Sequence, residues 1–319
     1  MGADDNRGMN PLFPVDGAVP LSHLGVIRAR GADARKFLHS QLTNDVLSLD
    51  DAARLAGFCS AKGRLQASFL MWTAHADEVL LACSASVLPA TLKRLSMFVL
   101  RAQCKLSDAS AEVPLWGLAG PDTAALAGDD SPWRRREHDG FTLIALPDAA
   151  EVRRCLWAGH VPAAKPDVVG SLSLATWRWL EVQSGVPLIE AATVDQFVPQ
   201  MLNFELTGGV DFQKGCYPGQ EIVARSQYRG TIKRRMFLFD VDGAPSPGDE
   251  VFHDSDPAQP AGMVVNAAPR PDGNGSSALV EVKLAALDGG RLRLGGPQGG
   301  ELRRAAMPYP VPLDAAQAA

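Results

Sequence analysis

The residues with the most chemical promise lie in one stretch, QKGCYPGQEIVAR, running from Gln213 to Arg225. Cys216 sits two residues after Lys214 and three before Gly219, and Gly215 beside it lets another backbone or a ligand approach closely. A helix is predicted to start near Gly219, with Pro218 at its first position and Glu221 in its first turn. A carboxylate there suits the positive end of the helix dipole. A cysteine just before such a helix and near a lysine ammonium is favoured as thiolate. It could serve as a nucleophile or a redox-active thiol. The alternative is a tight loop whose cysteine packs against a sheet, and these residues alone leave both open.

The other cysteines, Cys59, Cys83, Cys104 and Cys155, fall in apolar or strand-like runs and read as inert core residues. Five scattered cysteines with no CxxC pair make neither a disulfide framework nor a metal site, so no metal is predicted and a reducing, cytoplasmic setting is. The histidines are remote in sequence from Cys216, and no local pattern selects one as its partner. Arg225, Arg229, Lys233, Arg234 and Arg235 form a basic cluster after the motif. It is either the solvated face of a helix and strand or a seat for an anion, such as a polyglutamate tail or RNA phosphate. The net charge of −5 argues against a general polyanion binder, so any RNA contact is confined to Arg225–Arg235. Trp177 and Trp179 stand two apart on one predicted helix and face different ways, so one of them can line a pocket for a flat heterocycle.

These residues need elements to position them. LGVIRARG alternates apolar and charged residues as a half-buried strand does, and ADARKFLHSQLTNDV follows with helical spacing. Strand-like runs come next at 54–60, 65–73 and 78–84, then a helix over 86–101. PLWGLAG, PDTAALAG, FTLIALP and AEVRRCLWAG repeat this grammar, which predicts α+β lobes of the ferredoxin-like kind. SLATWRWLEVQSGVP is a helix stopped by Gly185 and Pro187. From about Met236, short strands separated by Gly, Pro, Asp and Asn turns predict a small β-barrel or sandwich. The expected organisation is a flexible leader over 1–20, two interleaved α+β lobes over 21–236 and a β-barrel domain over 237–310. No apolar run approaches the roughly 18 residues that span a bilayer, so no membrane contact is predicted.

At KGCYPGQE the chain resembles the YgfZ family of folate-binding proteins, relatives of the aminomethyltransferase of the glycine cleavage system. Lys214, Gly215, Cys216, Tyr217, Gly219, Gln220, Glu221, Val223, Ala224 and Arg225 match the family's motif. FVPQMLNFELTGGVDFQ upstream and YRGTIKRR downstream, which includes Arg229, are similar to its flanking segments. The resemblance implies lobes around a central folate channel closed by the C-terminal β-domain. It also implies tetrahydrofolate or a derivative as bound ligand, and iron–sulfur enzymes, including tRNA-modifying ones, as clients. It makes Cys216 the working residue beside Lys214. Trp177 falls where a folate-contacting tryptophan is expected, and Leu24 stands where a second tryptophan would be. Pro218 stands where Thr is common, and Gln183 replaces a frequent glutamate. True aminomethyltransferases carry an acidic pair after the first glycine turn; Gln66 and Ala67 occupy those places, and neither can act as a general base. Aminomethyl transfer is therefore not expected. The resemblance favours a tetrahydrofolate-binding accessory protein for synthesis or repair of iron–sulfur enzymes, with a folate-dependent one-carbon transferase or demethylase as the alternative.

Overall fold

The computed structural model describes residues 15–121, 131–138, 140–159, 170–228 and 232–313, together with residues 123, 126 and 166. Two five-stranded antiparallel sheets and a closed six-stranded barrel carry the fold. The first sheet has the order β3-β4-β5-β2-β6, built from β2 (Leu24–Arg30), β3 (Arg54–Cys59), β4 (Leu65–His75), β5 (Glu78–Ser84) and β6 (Lys105–Asp108). The second has the order β1-β7-β10-β9-β8, built from β1 (Gly17–Pro20), β7 (Leu115–Ala119), β8 (Arg135–His138), β9 (Phe141–Ala149) and β10 (Val152–Ala158). The two lobes interleave, because β1 precedes the first sheet in sequence yet lies at the edge of the second.

Strand β5 reads as a continuous apolar run because the first sheet is covered on both faces. Leu80 and Ala82 point into a central core shared with the second sheet. Val79, Leu81 and Cys83 point the other way, into a core with helices α1 (Ala34–His39) and α2 (Leu88–Ser96). Alternation along one strand thus feeds two cores. Helix α3 (Leu174–Gln183) is capped by Ser173, whose Oγ accepts from the Thr176 amide at 3.0 Å, and ends at Gly185 with φ +68°. Trp177 of α3 faces the central core, and the Trp179 indole donates to Ser277 Oγ of the barrel at 3.2 Å. The two tryptophans do part ways.

The barrel comprises β11 (Arg234–Val241), β12 (Glu250–His253), β13 (Asp256–Pro269), β14 (Ser276–Lys283), β15 (Leu292–Leu294) and β16 (Glu301–Arg304). Its first strand begins two residues before the composition change read at Met236. Three expectations need correction. Gly17–Pro20, assigned to the leader, pair with β7 from Gly17↔Ala119 to Pro20↔Trp116. Helix α1 stops at His39 although the apolar spacing runs on to Leu42; Thr43 and Asn44 spend their side chains on other segments, as described below. Helix α2 stops at Ser96 instead of reaching 101, and Phe98 beyond its end is 44% exposed. The helix expected at PDTAALAG falls largely outside the described residues, as do residues 1–14.

Candidate functional site

The loop bearing Cys216 is held from below by short polar residues buried in the first lobe. Thr43 Oγ1 donates to the Gly209 carbonyl at 2.6 Å and accepts from the Gly57 amide at 2.7 Å. Asn44 Nδ2 donates to the carbonyls of Leu55 at 2.7 Å and Gly208 at 2.6 Å. Buried amide and hydroxyl groups that are fully used in this way fix a single loop path. Downstream, Gln200 Nε2 donates to Val223 O of helix α4 (Gln220–Tyr228) at 2.9 Å, and Asn203 Nδ2 donates to Met236 O of the barrel at 2.7 Å. The polar residues of FVPQMLN therefore tie the loop, α4 and β11 together.

Cys216 is exposed, whereas Cys59, Cys83 and Cys155 are buried. Burial pushes the Cys59 and Cys83 thiols up to about 12, with nearby Asp195 and Asp108 adding to it. Burial also raises the Cys104 thiol. Cys59, Cys83 and Cys155 are core residues as expected, and Cys104 is half-buried. Lys214 Nζ donates to His39 O at 2.7 Å and Gly215 O at 3.0 Å, and lies 4.8 Å from the centroid of the Tyr217 ring, which is buried beneath it. Burial brings the Lys214 ammonium down to about 8, against the opposing charges of Asp211, Asp45 and Cys216. Titration of the Lys214 Nζ, followed by NMR of reductively methylated protein, is expected to show a midpoint near 8 instead of 10.5. Between those values the unfolded chain holds a proton that the folded chain has lost. Stability carried by this residue therefore rises with pH from about 8 to 10.5. Lys214→Met should abolish that slope in urea unfolding.

Sequence reasoning selected no histidine, but the fold brings one to this loop. His39 Nδ1 lies 3.0 Å from Asp45 Oδ1, and its Nε2 comes within 3.6 Å of where a Cβ on Gly215 would stand. The signal was present in HSQLTND, seven residues that looked like helix.

The start of α4 differs from expectation. Pro218 is not the first helical residue; the helix begins at Gln220, because Gly219 adopts φ +81°. A Cβ there would lie 2.4 Å from the Ser60 carbonyl oxygen and 2.7 Å from Gly63 Cα, on the turn between β3 and β4. The amides of Gln220, Ile222 and Val223 are taken by the carbonyls of Tyr217 and Gly219, so they do not point at Cys216. Gly219→Ala is expected to cost about 1–3 kcal/mol in urea unfolding, because it combines left-handed strain with a backbone clash. Glu221 keeps its first-turn position, and Arg225 is exposed in the last turn.

Two of the five cations of the basic cluster are engaged in ion pairs. Arg235 is 1% exposed, paired with Glu205, and donates to Gln200 O at 3.0 Å. Arg234 donates to Glu281 Oε2 at 2.8 Å. Arg229 lies outside the described residues. Among the described residues of the cluster, Arg225 and Lys233 are exposed.

A second candidate site lies between the two sheets and α3. An inner chamber of about 110 Å³ is lined by Leu24, Leu55, Ser68, Arg154, Trp177 and Glu181, among others. It adjoins an outer vestibule of about 600 Å³ that shares Trp133, Leu146, Pro147, Ser184 and Val186 and reaches Tyr309. The structure thus brings Leu24 and Trp177 to one chamber and leaves the Cys216 loop outside it. Trp177 is 1% exposed. One side of its ring lies on Gly117, and Arg154 Cζ stands 5.4 Å from its centroid. It is therefore a floor, not an open stacking face. Its indole donates to Glu181 Oε1 at 2.9 Å, and His23 Nε2 approaches Oε2 at 3.0 Å.

Burial pushes the Glu181 carboxyl up, but His23, the Trp177 N–H and Arg154 outweigh it and hold the group below its ordinary value. Burial brings the Arg154 guanidinium down to about 10. The Glu181 side chain keeps 27% exposure, so a ligand can reach it, and His23 Nδ1 is buried without a partner among the described residues. An apolar pocket with a few convergent polar groups suits a flat, hydrogen-bonding heterocycle. Sequence reading missed Glu181, Arg154 and His23; the available signals were Glu181 four residues after Trp177 on one helix face and a pair of arginines inside an apolar strand. Gln66 and Ala67 take no part. Gln66 Nε2 faces Asp195 Oδ2 at 3.4 Å, and Ala67 is buried in the core beneath α1 and α2.

No family model matches the chain. It is 31% identical over 249 residues to the tRNA-modifying protein YgfZ of Colwellia psychrerythraea, a match covering 73% of this chain and 75% of that one. The tRNA-modifying protein YgfZ of Edwardsiella ictaluri is 33% identical over 224 residues, covering 66% and 67%. An uncharacterized protein of Haemophilus influenzae is 30% identical over 225 residues, covering 70% and 73%. The solved structure of the glycine cleavage system aminomethyltransferase T from Bartonella henselae superposes with a TM-score of 0.71 over 91% of this chain and 85% of that one. At 16% identity this likeness shows the fold. The sequence matches, together with that fold, show that the chain belongs to the YgfZ family.

Proposed function

We propose that the chain binds tetrahydrofolate or a derivative in the Trp177 chamber and serves, through Cys216, as an accessory protein in the synthesis or repair of iron–sulfur enzymes. Those that modify tRNA are included, in line with the name its relatives carry. The observation that carries the reading is the separation of two built sites in one chain. One is an interior chamber with a reachable carboxylate; the other is an exposed thiol on a loop fixed by buried side-chain hydrogen bonds. A folate pterin would meet Glu181 and His23 through its hydrogen-bonding edge, with Leu24, Trp133 and Leu146 as apolar walls. Folate supplies a one-carbon carrier when bound; the chain's residues hold and orient it. No side chain at position 66 or 67 supplies a base, which supports an accessory role over aminomethyl transfer. The cytoplasm, where tRNA-modifying enzymes act, is the proposed location.

Titration of purified protein with tetrahydrofolate, followed by tryptophan fluorescence and calorimetry, tests the ligand. Binding with micromolar affinity is expected. Trp177→Phe, which removes the indole N–H from Glu181, should weaken it about ten-fold, the worth of one hydrogen bond to a charged group. Six tryptophans emit in this chain, so the calorimetric trace decides. Absence of heat with tetrahydrofolate and its formyl and methylene forms would remove the folate half of the proposal.

A further inference from the structure

The C-terminal end of α2 exposes three apolar residues in a row of four: Met97 at 68%, Phe98 at 44% and Leu100 at 86%. Lys93, Arg94, Arg101 and Lys105 are exposed around them. None of these four cations forms an ion pair with a described residue. No Asp or Glu occurs between Glu78 and Asp108, in a chain whose net charge is −5. Asp33 accepts from the Gln103 amide at 2.8 Å, and Asp195 from Gln66 Nε2 at 3.4 Å. Beside the ridge lies a depression of about 490 Å³ lined by Val87, Ala90, Thr91, Lys93, Met97 and Val194.

Lysine and arginine in the last turn of a helix complement its dipole, which accounts for Lys93 and Arg94 but not for Arg101 and Lys105 beyond the end. Nor does it account for three exposed apolar side chains, since contiguous patches of this kind mark interaction sites. We infer that this ridge and depression dock an acidic, amphipathic segment of a partner protein. The local positive charge steers the acidic partner, and apolar side chains of that segment fill the depression while Met97, Phe98 and Leu100 cover its apolar face. A bilayer fits less well, because a flat surface cannot fill a depression between α2 and Val194. Nucleic acid fits less well, because Met97 and Leu100 offer no stacking surface and Phe98 is a single ring. The surface is separate from the Trp177 chamber and from the Cys216 loop, so its test does not depend on their roles.

A random 16-residue displayed peptide library, panned against the full chain, is the probe. Enriched peptides are expected to be net negative with at least two large apolar residues. Synthesised and labelled, they should bind with an affinity that falls as salt rises. Leu100→Ser and the double variant Lys93→Glu/Arg94→Glu should each weaken binding at least ten-fold. The thermal midpoint should stay unchanged for Leu100→Ser, whose side chain is exposed, and fall slightly for the double variant, which sets acid against the C-terminal end of the α2 dipole. Enrichment of basic or charge-neutral peptides, or equal binding by the variants, would overturn the inference. So would a finding that these variants abolish binding to anionic phosphatidylglycerol vesicles, to tRNA or to a second copy of the chain while leaving peptide binding intact.

Discussion

Cys216→Ala is expected to leave the protein folded and to abolish its cellular function. In a deletion strain the variant should restore iron–sulfur enzyme activity, read as methylthiolation of tRNA, no better than an empty vector. Its stability should stay within about 0.5 kcal/mol of the parent, because the side chain is exposed and fills no core. Function is favoured over packing because the surroundings do not need the thiol. Tyr217 fills the space under the loop, Lys214 bridges to His39 O, and Thr43 and Asn44 hold Gly208 and Gly209. Thiol selectivity gives an independent check. A brief alkylation pulse on native protein should label Cys216 first, since Cys59 and Cys83 are buried and pushed up to about 12. Full rescue by Cys216→Ala would end the role proposed for the thiol, whatever the folate result.

His39 and Asp45 sharpen that experiment. The His39 imidazole, paired to Asp45, stands beside the peptide of Gly215, next in sequence to Cys216. His39→Gln keeps a hydrogen-bonding side chain of similar reach, while leaving the Lys214 contact to the His39 carbonyl untouched. It is expected to lower the rate of Cys216 alkylation several-fold. An unchanged rate would assign His39 to packing alone.

The strands were legible in the sequence because each sheet buries at least one face, and alternation or a continuous apolar run follows directly. Ile27 and Val26 show this, feeding opposite cores from adjacent positions. The Cys216 motif was legible as a site because a cysteine among glycine, proline and charged residues has no place in a core. The helix boundaries were less legible. Thr43 and Asn44 fit a helical spacing, but their buried hydrogen bonds to residues more than 160 positions away decide the conformation, and no local pattern reports them. Arg235 read as a cation of an exposed cluster, solvated or seating an anion, and is instead buried, since its partner Glu205 lies thirty residues upstream. The Glu181–His23–Arg154 group is of the same kind: three elements meet there, and only the fold juxtaposes them.

Gly117→Ala is expected to damage the chamber most for the smallest change. Gly117 lies in the middle strand of three, paired with Val19 of β1 and Leu156 of β10, so its backbone cannot retreat. An added Cβ would lie 2.5 Å from Trp177 Cε3, far inside contact distance, and the indole must move away from the sheet. That motion breaks the N–H bond to Glu181 and disturbs the contact of the ring with Arg154, whose guanidinium donates to Pro147 O at 2.8 Å. Overpacking of this kind costs about 1–3 kcal/mol, measurable as a lower urea midpoint at constant slope. The loss of Trp177 from its seat should also cut tetrahydrofolate affinity at least ten-fold by calorimetry. The pairing of Gly117→Ala with Trp177→Phe separates the two effects: the smaller ring relieves the clash, so the double variant should recover part of the lost stability and none of the lost affinity. Recovery of both would mean that the indole matters only for packing. Loss of neither in Gly117→Ala would mean that the ring does not lie on this strand.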